Sequence, residues 1–108
     1  MLAASDIQQR FTSIRNTIGE AEQACQSAGD TSPELREQLQ KLSSEAESAD
    51  SIMRGDQQER IVECIDRLED MGDEVKRLSR SDQHMTPTLE SAVTRVHAEL
   101  SKLKHELH

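Results

Sequence analysis

Apolar residues recur along this chain at alternating steps of four and three. Ile7, Phe11, Ile14, Ile18, Ala21, Cys25 and Ala28 form the first run, which is the seam of a heptad repeat on one helical face. Ser5 followed by Gln8 has the form of a capping box, and Gly29, which lacks a Cβ, suits a left-handed exit. The predicted first helix is 6–28. Ser32-Pro33-Glu34 then combines a side-chain acceptor for orphan amides, a residue suited to the first helical position, and a negative charge at the positive helix end. Leu35, Leu39, Leu42, Ala46, Ala49 and Met53 carry the second seam, predicting a helix over 33–54. Gly55-Asp56 offers another left-handed exit, with Asp56 and Glu59 as a further capping box. Ile61, Cys64, Ile65, Leu68, Met71, Val75 and Leu78 make a wider stripe, so the third helix, 57–80, is expected to be the most buried. Thr86-Pro87 repeats the cap and proline, and Leu89, Val93, Val96, Leu100, Leu103 and Leu107 complete a fourth helix over 87–107.

Four seams of similar length joined by short connections fold back on one another, because short loops make sequential helices antiparallel neighbours. The expected architecture is all-α: one up-down-up-down four-helix bundle spanning residues 1–108, with Leu39, Leu42, Ile65, Leu68, Val96 and Leu100 in its central layers. The alternative runs the second and third helices together through Gly55, since glycine inside a helix costs only about 1 kcal/mol, and gives an extended coiled-coil assembly. A shift of 54 residues lays Ser32-Pro33-Glu34-Leu35 over Thr86-Pro87-Thr88-Leu89. Leaving aside the helix-end pair Ala28/Asp82, ten of the twelve seam pairs are then apolar in both halves, and Ile18/Gly72 and Cys25/Ser79 break the pattern. That register reads as a duplicated helical hairpin, although any two heptad hairpins with loops of similar length would align in this way.

Composition narrows the possible functions. Of 108 residues, 33% are apolar and only Phe11 is aromatic, so the core is aliphatic and no aromatic platform exists for bases or sugars. Thirteen basic and 21 acidic residues give a formal charge of −8, which repels a phosphate backbone; nucleic acid is not an expected partner. No apolar run approaches the roughly 18 residues of a membrane span, and Met1-Leu2-Ala3-Ala4 is too short for a signal-peptide core. The expectation is a cytoplasmic protein with no membrane partner. Cys25 and Cys64 are the only cysteines. In the expected bundle they lie on diagonal parallel helices with an axial offset of roughly 18 Å, too far for a disulfide, and both read as reduced core residues.

No catalytic or cofactor signature is present. Glu-x-x-His, Cys-x-x-Cys and His-x-x-x-His are absent, so no metal set is expected. His105 and His108 share a face only in a fraying last turn. Glycine-rich phosphate loops and a nucleophile elbow are also missing, and no catalytic residue or cofactor is expected. What stands out is charge. Asp56, Glu59, Glu63, Asp66, Glu69, Asp70, Asp73 and Glu74 crowd the third helix and its approach. Glu59, Glu63, Asp66, Asp70, Asp73 and Glu74 are the candidate docking face for a basic protein partner, the alternative being a merely solvated helix face. Glu45, Glu47 and Asp50 read as a second acidic cluster with no nearby base.

The segment Val96-His97-Ala98-Glu99-Leu100-Ser101-Lys102-Leu103 resembles the phospho-acceptor helix of histidine phosphotransfer domains, themselves four-helix bundles of this size. The resemblance implies His97 as phospho-acceptor. The lysine and small residue that follow the histidine closely in that family are missing, and Glu99 would repel a phosphoryl group. A non-enzymatic interaction or regulatory bundle is therefore the leading expectation, with His97 phosphotransfer and a self-assembling structural coiled coil as alternatives. Leu2, Ile52, Val62 and Ala92 lie off the main seams and are expected to supply a second apolar surface for a homodimer.

Overall fold

Four helices account for most of the chain in the computed structural model, which describes residues 3–108: α1 (Ala4–Ala28), α2 (Pro33–Met53), α3 (Gln58–Ser81) and α4 (Pro87–Leu107). Each packs on its neighbours in sequence, and α1 closes the ring against α4, leaving α1/α3 and α2/α4 as diagonals. The long axis of 41 Å follows from helices of 21 to 25 residues at about 1.5 Å per residue. The cross-section of 21 × 18 Å is two helices by two. This is the expected four-helix bundle. No helix among the described residues is long and apolar enough to cross a membrane.

The seams form one core. Ile7, Phe11, Ile14, Ile18, Leu35, Leu39, Leu42, Ile65, Leu68, Val96 and Leu100 are all 1% exposed or less, including the six residues expected in the central layers. Ser32 Oγ and Thr86 Oγ1 accept from the amides of Leu35 and Leu89 at 3.3 and 3.1 Å, so both cap-then-proline starts form as the sequence reads. Gly29 has φ of 75°, the left-handed exit that glycine permits. A shift of 54 residues carries Pro33–Met53 onto Pro87–Leu107 and matches the start of α1 to that of α3, as a doubled hairpin requires.

Four local expectations are corrected. The first helix begins at Ala4, two residues early, with Ala3 as an N-cap that makes no side-chain bond; Ser5 lies inside the helix. The third begins at Gln58 behind an equally uncapped Gln57, so Asp56 and Glu59 form no capping box. Gly55 does break the helix, but without a positive φ: Gly29 alone among the described residues has one. Arg54 stays in the right-handed region and the Gly55 amide donates to the Ile52 carbonyl at 3.1 Å, a tight last turn that satisfies an orphan carbonyl. Finally, α3 is not the most buried helix. Cys64, Met71 and Leu78 sit half-buried on the flanks of its stripe, whereas α4 buries seven residues, all apolar.

The two loops at one end of the bundle are tied by Asp82. Its Oδ2 accepts from the Ser32 amide and its Oδ1 from the His84 amide, each at 2.8 Å. Those donors, Ser32 first, hold the Asp82 carboxyl below its usual value. A carboxyl lowered in the folded state stabilises the fold above its unfolded pKa and loses that contribution as pH falls through the folded value. Asp82→Ala should therefore cost about 1 kcal/mol at neutral pH, with a deficit that shrinks as pH falls below about 4. Urea midpoints of the two proteins from pH 7 to pH 3 measure this; a constant deficit would show that the carboxylate does not act through its charge.

Candidate functional site

Residues on α3 divide between a core face and an opposite, acidic face by helical periodicity. Ile61, Ile65, Leu68, Gly72 and Val75 point to the core. Opposite them, Glu59, Glu63, Asp66, Asp70 and Asp73 recur at steps of three and four, so the acidic residues of this helix form a stripe; Asp56 precedes the helix and lies outside the stripe. Its members differ in availability. Glu59, Glu63 and Asp70 are exposed and, among the described residues, in no ion pair. Asp66 is half-buried, with Oδ1 2.9 Å from His108 Nε2. Asp73 Oδ1 lies 2.5 Å from His97 Nε2. Glu74 is gripped by the Arg77 guanidinium, whose Nε donates to Oε2 at 3.0 Å; that hydrogen bond lowers the Glu74 carboxyl and raises the guanidinium. The structure thus leaves three of the six docking candidates free and turns two toward α4.

Between α3 and α4 the carboxylates and cations interleave. Glu69, absent from the candidate face read from sequence, is 8% exposed and accepts from Lys104 Nζ at 3.0 Å, which raises the ammonium pKa. Asp73–His97, Glu69–Lys104 and Asp66–His108 therefore run down the groove in antiparallel register. Glu99 faces away from this ladder, toward α1. The Thr17 hydroxyl lies 2.8 Å from Glu99 Oε1 and 3.0 Å from the Ser13 carbonyl, with one proton to give between them. Ser13 Oγ donates to Glu99 Oε2 at 3.1 Å. The carboxylate beside His97 is that of Asp73, not Glu99.

The second acidic cluster has bases after all. Asp50 pairs with Arg15 of α1 at 3.2 Å and with Arg54, one turn on, at 3.0 Å; Arg67 of α3 lies 3.6 Å from Glu45. Both cysteines are free. Cys25 is buried with its Sγ 3.2 Å from Thr31 Oγ1, while Cys64 is half-buried and burial pushes its thiol pKa up, which works against thiolate chemistry. An open groove between the last turns of α1 and the first of α4 is lined by small residues such as Ala24, Ser27, Ser91 and Ala92. Among the described residues, neither histidine nor lysine lines it beside its serines and threonines. No protein family, curated protein or solved structure matches the chain.

Proposed function

We propose that the protein is a non-enzymatic interaction module that docks a basic segment of a partner protein along α3. The observation that carries this reading is the placement of Glu59, Glu63 and Asp70 on the solvent face opposite the core, exposed and in no ion pair among the described residues. Asp66 and Asp73 extend the stripe and remain partly accessible, with 38% and 51% of their side chains exposed. Three carboxylates in no ion pair, spread over about three turns of α3, attract a basic strand or helix along the stripe, and set its on-rate and register more than its affinity.

Phosphotransfer through His97 has less support. The side chain is 27% exposed, its Nε2 is already engaged by Asp73, and a phosphoryl group there would meet that carboxylate. We also propose the single bundle as the binding unit, not a two-fold pair. Of the off-seam residues, Ala92 is buried, Leu2 lies outside the described residues, and Ile52 and Val62 are half-buried against the core. Ile52 lines the α2–α3 groove beside Arg60 and Cys64, whereas Val62 falls on the flank of α3 toward α4, so the two make no common surface.

The test is affinity capture with the wild-type protein and with Glu59→Gln/Glu63→Gln/Asp70→Asn. The variant should retain the wild-type melting temperature and, in sedimentation equilibrium, the monomer mass of 12.2 kDa. It should lose tenfold or more in affinity for any partner the wild type holds at 0.1 M salt, and the wild-type contact should itself fade as salt rises. A partner bound equally by both proteins would place the interface elsewhere.

A further inference from the structure

The α3–α4 ladder holds a set of donors that no local motif contains. Glu69 and Asp73 are one helical turn apart on α3, and His97 enters from α4. One ligand atom from each lies within 4.8 Å of the other two. The approach has a structural cause in Gly72. This residue is buried between Glu69 and Asp73 in sequence, and a Cβ placed on it would stand 3.1 Å from Leu100 Cδ1. Without a side chain at that point the two helices close on one another, which brings Asp73 against the imidazole three residues before Leu100.

We propose that Glu69, Asp73 and His97 form a site for one borderline divalent transition-metal ion of the zinc and cobalt class. One imidazole nitrogen and two carboxylates make a donor set that this class accepts, with a charge of −2 to balance the ion and water completing the shell. A tetrahedral ion with bonds of about 2.0–2.2 Å sets its donors roughly 3.4 Å apart. Relative to that, the His97–Asp73 contact of 2.5 Å opens by about an ångström, and no other pair, at 4.8 Å or less, has to close by more than about 1.4 Å. These are side-chain rotations only, since the donors sit on two helices already fixed by the core. In the bound state Nε2 of His97 donates its lone pair to the ion and the ring proton resides on Nδ1. Lys104 now supplies the positive charge at Glu69; it swings out as an ammonium when the ion enters. The lysine is a competitor for the site, which a chance surface association of metal with carboxylates would not have. The site shares Asp73 with the edge of the docking stripe but leaves Glu59, Glu63 and Asp70 untouched, so the loss of one can be told from the loss of the other.

Zinc titration of the intact protein by calorimetry, and cobalt titration followed by visible absorption, test the site. One ion per chain is expected. His97→Gln and Asp73→Asn, both at partly exposed positions, should each weaken binding tenfold or more while circular dichroism shows the same helix content. Lys104→Gln should tighten it about two- to fivefold, the size of one partly exposed ion pair removed. A variant without the other imidazoles, His84→Gln/His105→Gln/His108→Gln, should bind as the wild type does. The proposal is overturned if no ion binds at millimolar zinc, if His97→Gln binds undiminished, or if removing the other three histidines abolishes binding.

Discussion

Replacing Leu68 with alanine should destabilise the bundle by about 2–5 kcal/mol and lower its melting temperature by roughly 10 °C or more. Leu68 is fully buried, as are Ile65 on the preceding turn and Leu100 across the α3–α4 contact. In a core with one aromatic ring and several alanines, little else nearby can move in to fill the lost volume. The cost therefore contains both the transfer term of the missing carbons and a cavity term. Since small domains are stable by only about 5–15 kcal/mol in total, this one truncation removes a large share. Met71→Ala on the same helix provides the contrast: Met71 is half-buried at the edge of the stripe, and its loss should cost about 1 kcal/mol. Denaturant midpoints at unchanged slope measure both. Equal costs would mean that the stripe of α3 is centred on its flank, not on Leu68.

The core was legible because a heptad seam encodes it locally. Each of Ile7, Phe11, Ile14 and Ile18 declares its face by its distance from the next, and so do Leu35, Leu39 and Leu42; no long-range knowledge is required. Proline one residue after Ser32 and Thr86 fixed two helix starts, since proline at the first turn and a hydroxyl before it solve the orphan-amide problem together. Ser5 and Asp56 show the limit of such signals. Each has the right partner three residues on, yet the helix starts elsewhere, because solvent can satisfy amides at an exposed end and no proline pins the boundary. The groove between α3 and α4 was illegible for a different reason. Whether Asp73 meets His97 and Glu69 meets Lys104 depends on the height at which the two helices pack, and no periodicity within one helix reports that height. Periodicity alone places the acidic residues of α3 on one face, but their division into free carboxylates and carboxylates turned toward α4 depends on the same register.

Gly72 is where the sequence pattern and the structure give opposite expectations for one substitution. In the doubled register Gly72 matches Ile18, and it interrupts an otherwise apolar seam. Read as a repeat with a defect, Gly72→Ile restores the pattern and replaces a poor helix former, and should stabilise. The structure argues the reverse. Ile18 shares the α1–α2 groove with Ala46, whereas Gly72 abuts Leu100, and the 54-residue shift carries Ala46 onto Leu100. The two hairpins thus fill equivalent layers with the large and small residues exchanged: isoleucine against alanine in one, glycine against leucine in the other. Adding an isoleucine while Leu100 remains overfills a fully buried layer and should cost about 1–3 kcal/mol, despite roughly half a kcal/mol or more gained in helix propensity. Leu100→Ala alone should cost about 2–5 kcal/mol. Together, Gly72→Ile/Leu100→Ala rebuilds the packing of the first hairpin within the second, and its cost should fall short of the sum of the singles by about 1 kcal/mol or more. A double-mutant cycle on urea unfolding provides the measurement. Additive losses would mean that the two positions do not share a layer, and a stabilising Gly72→Ile would mean that α3 and α4 can separate freely to admit the new side chain.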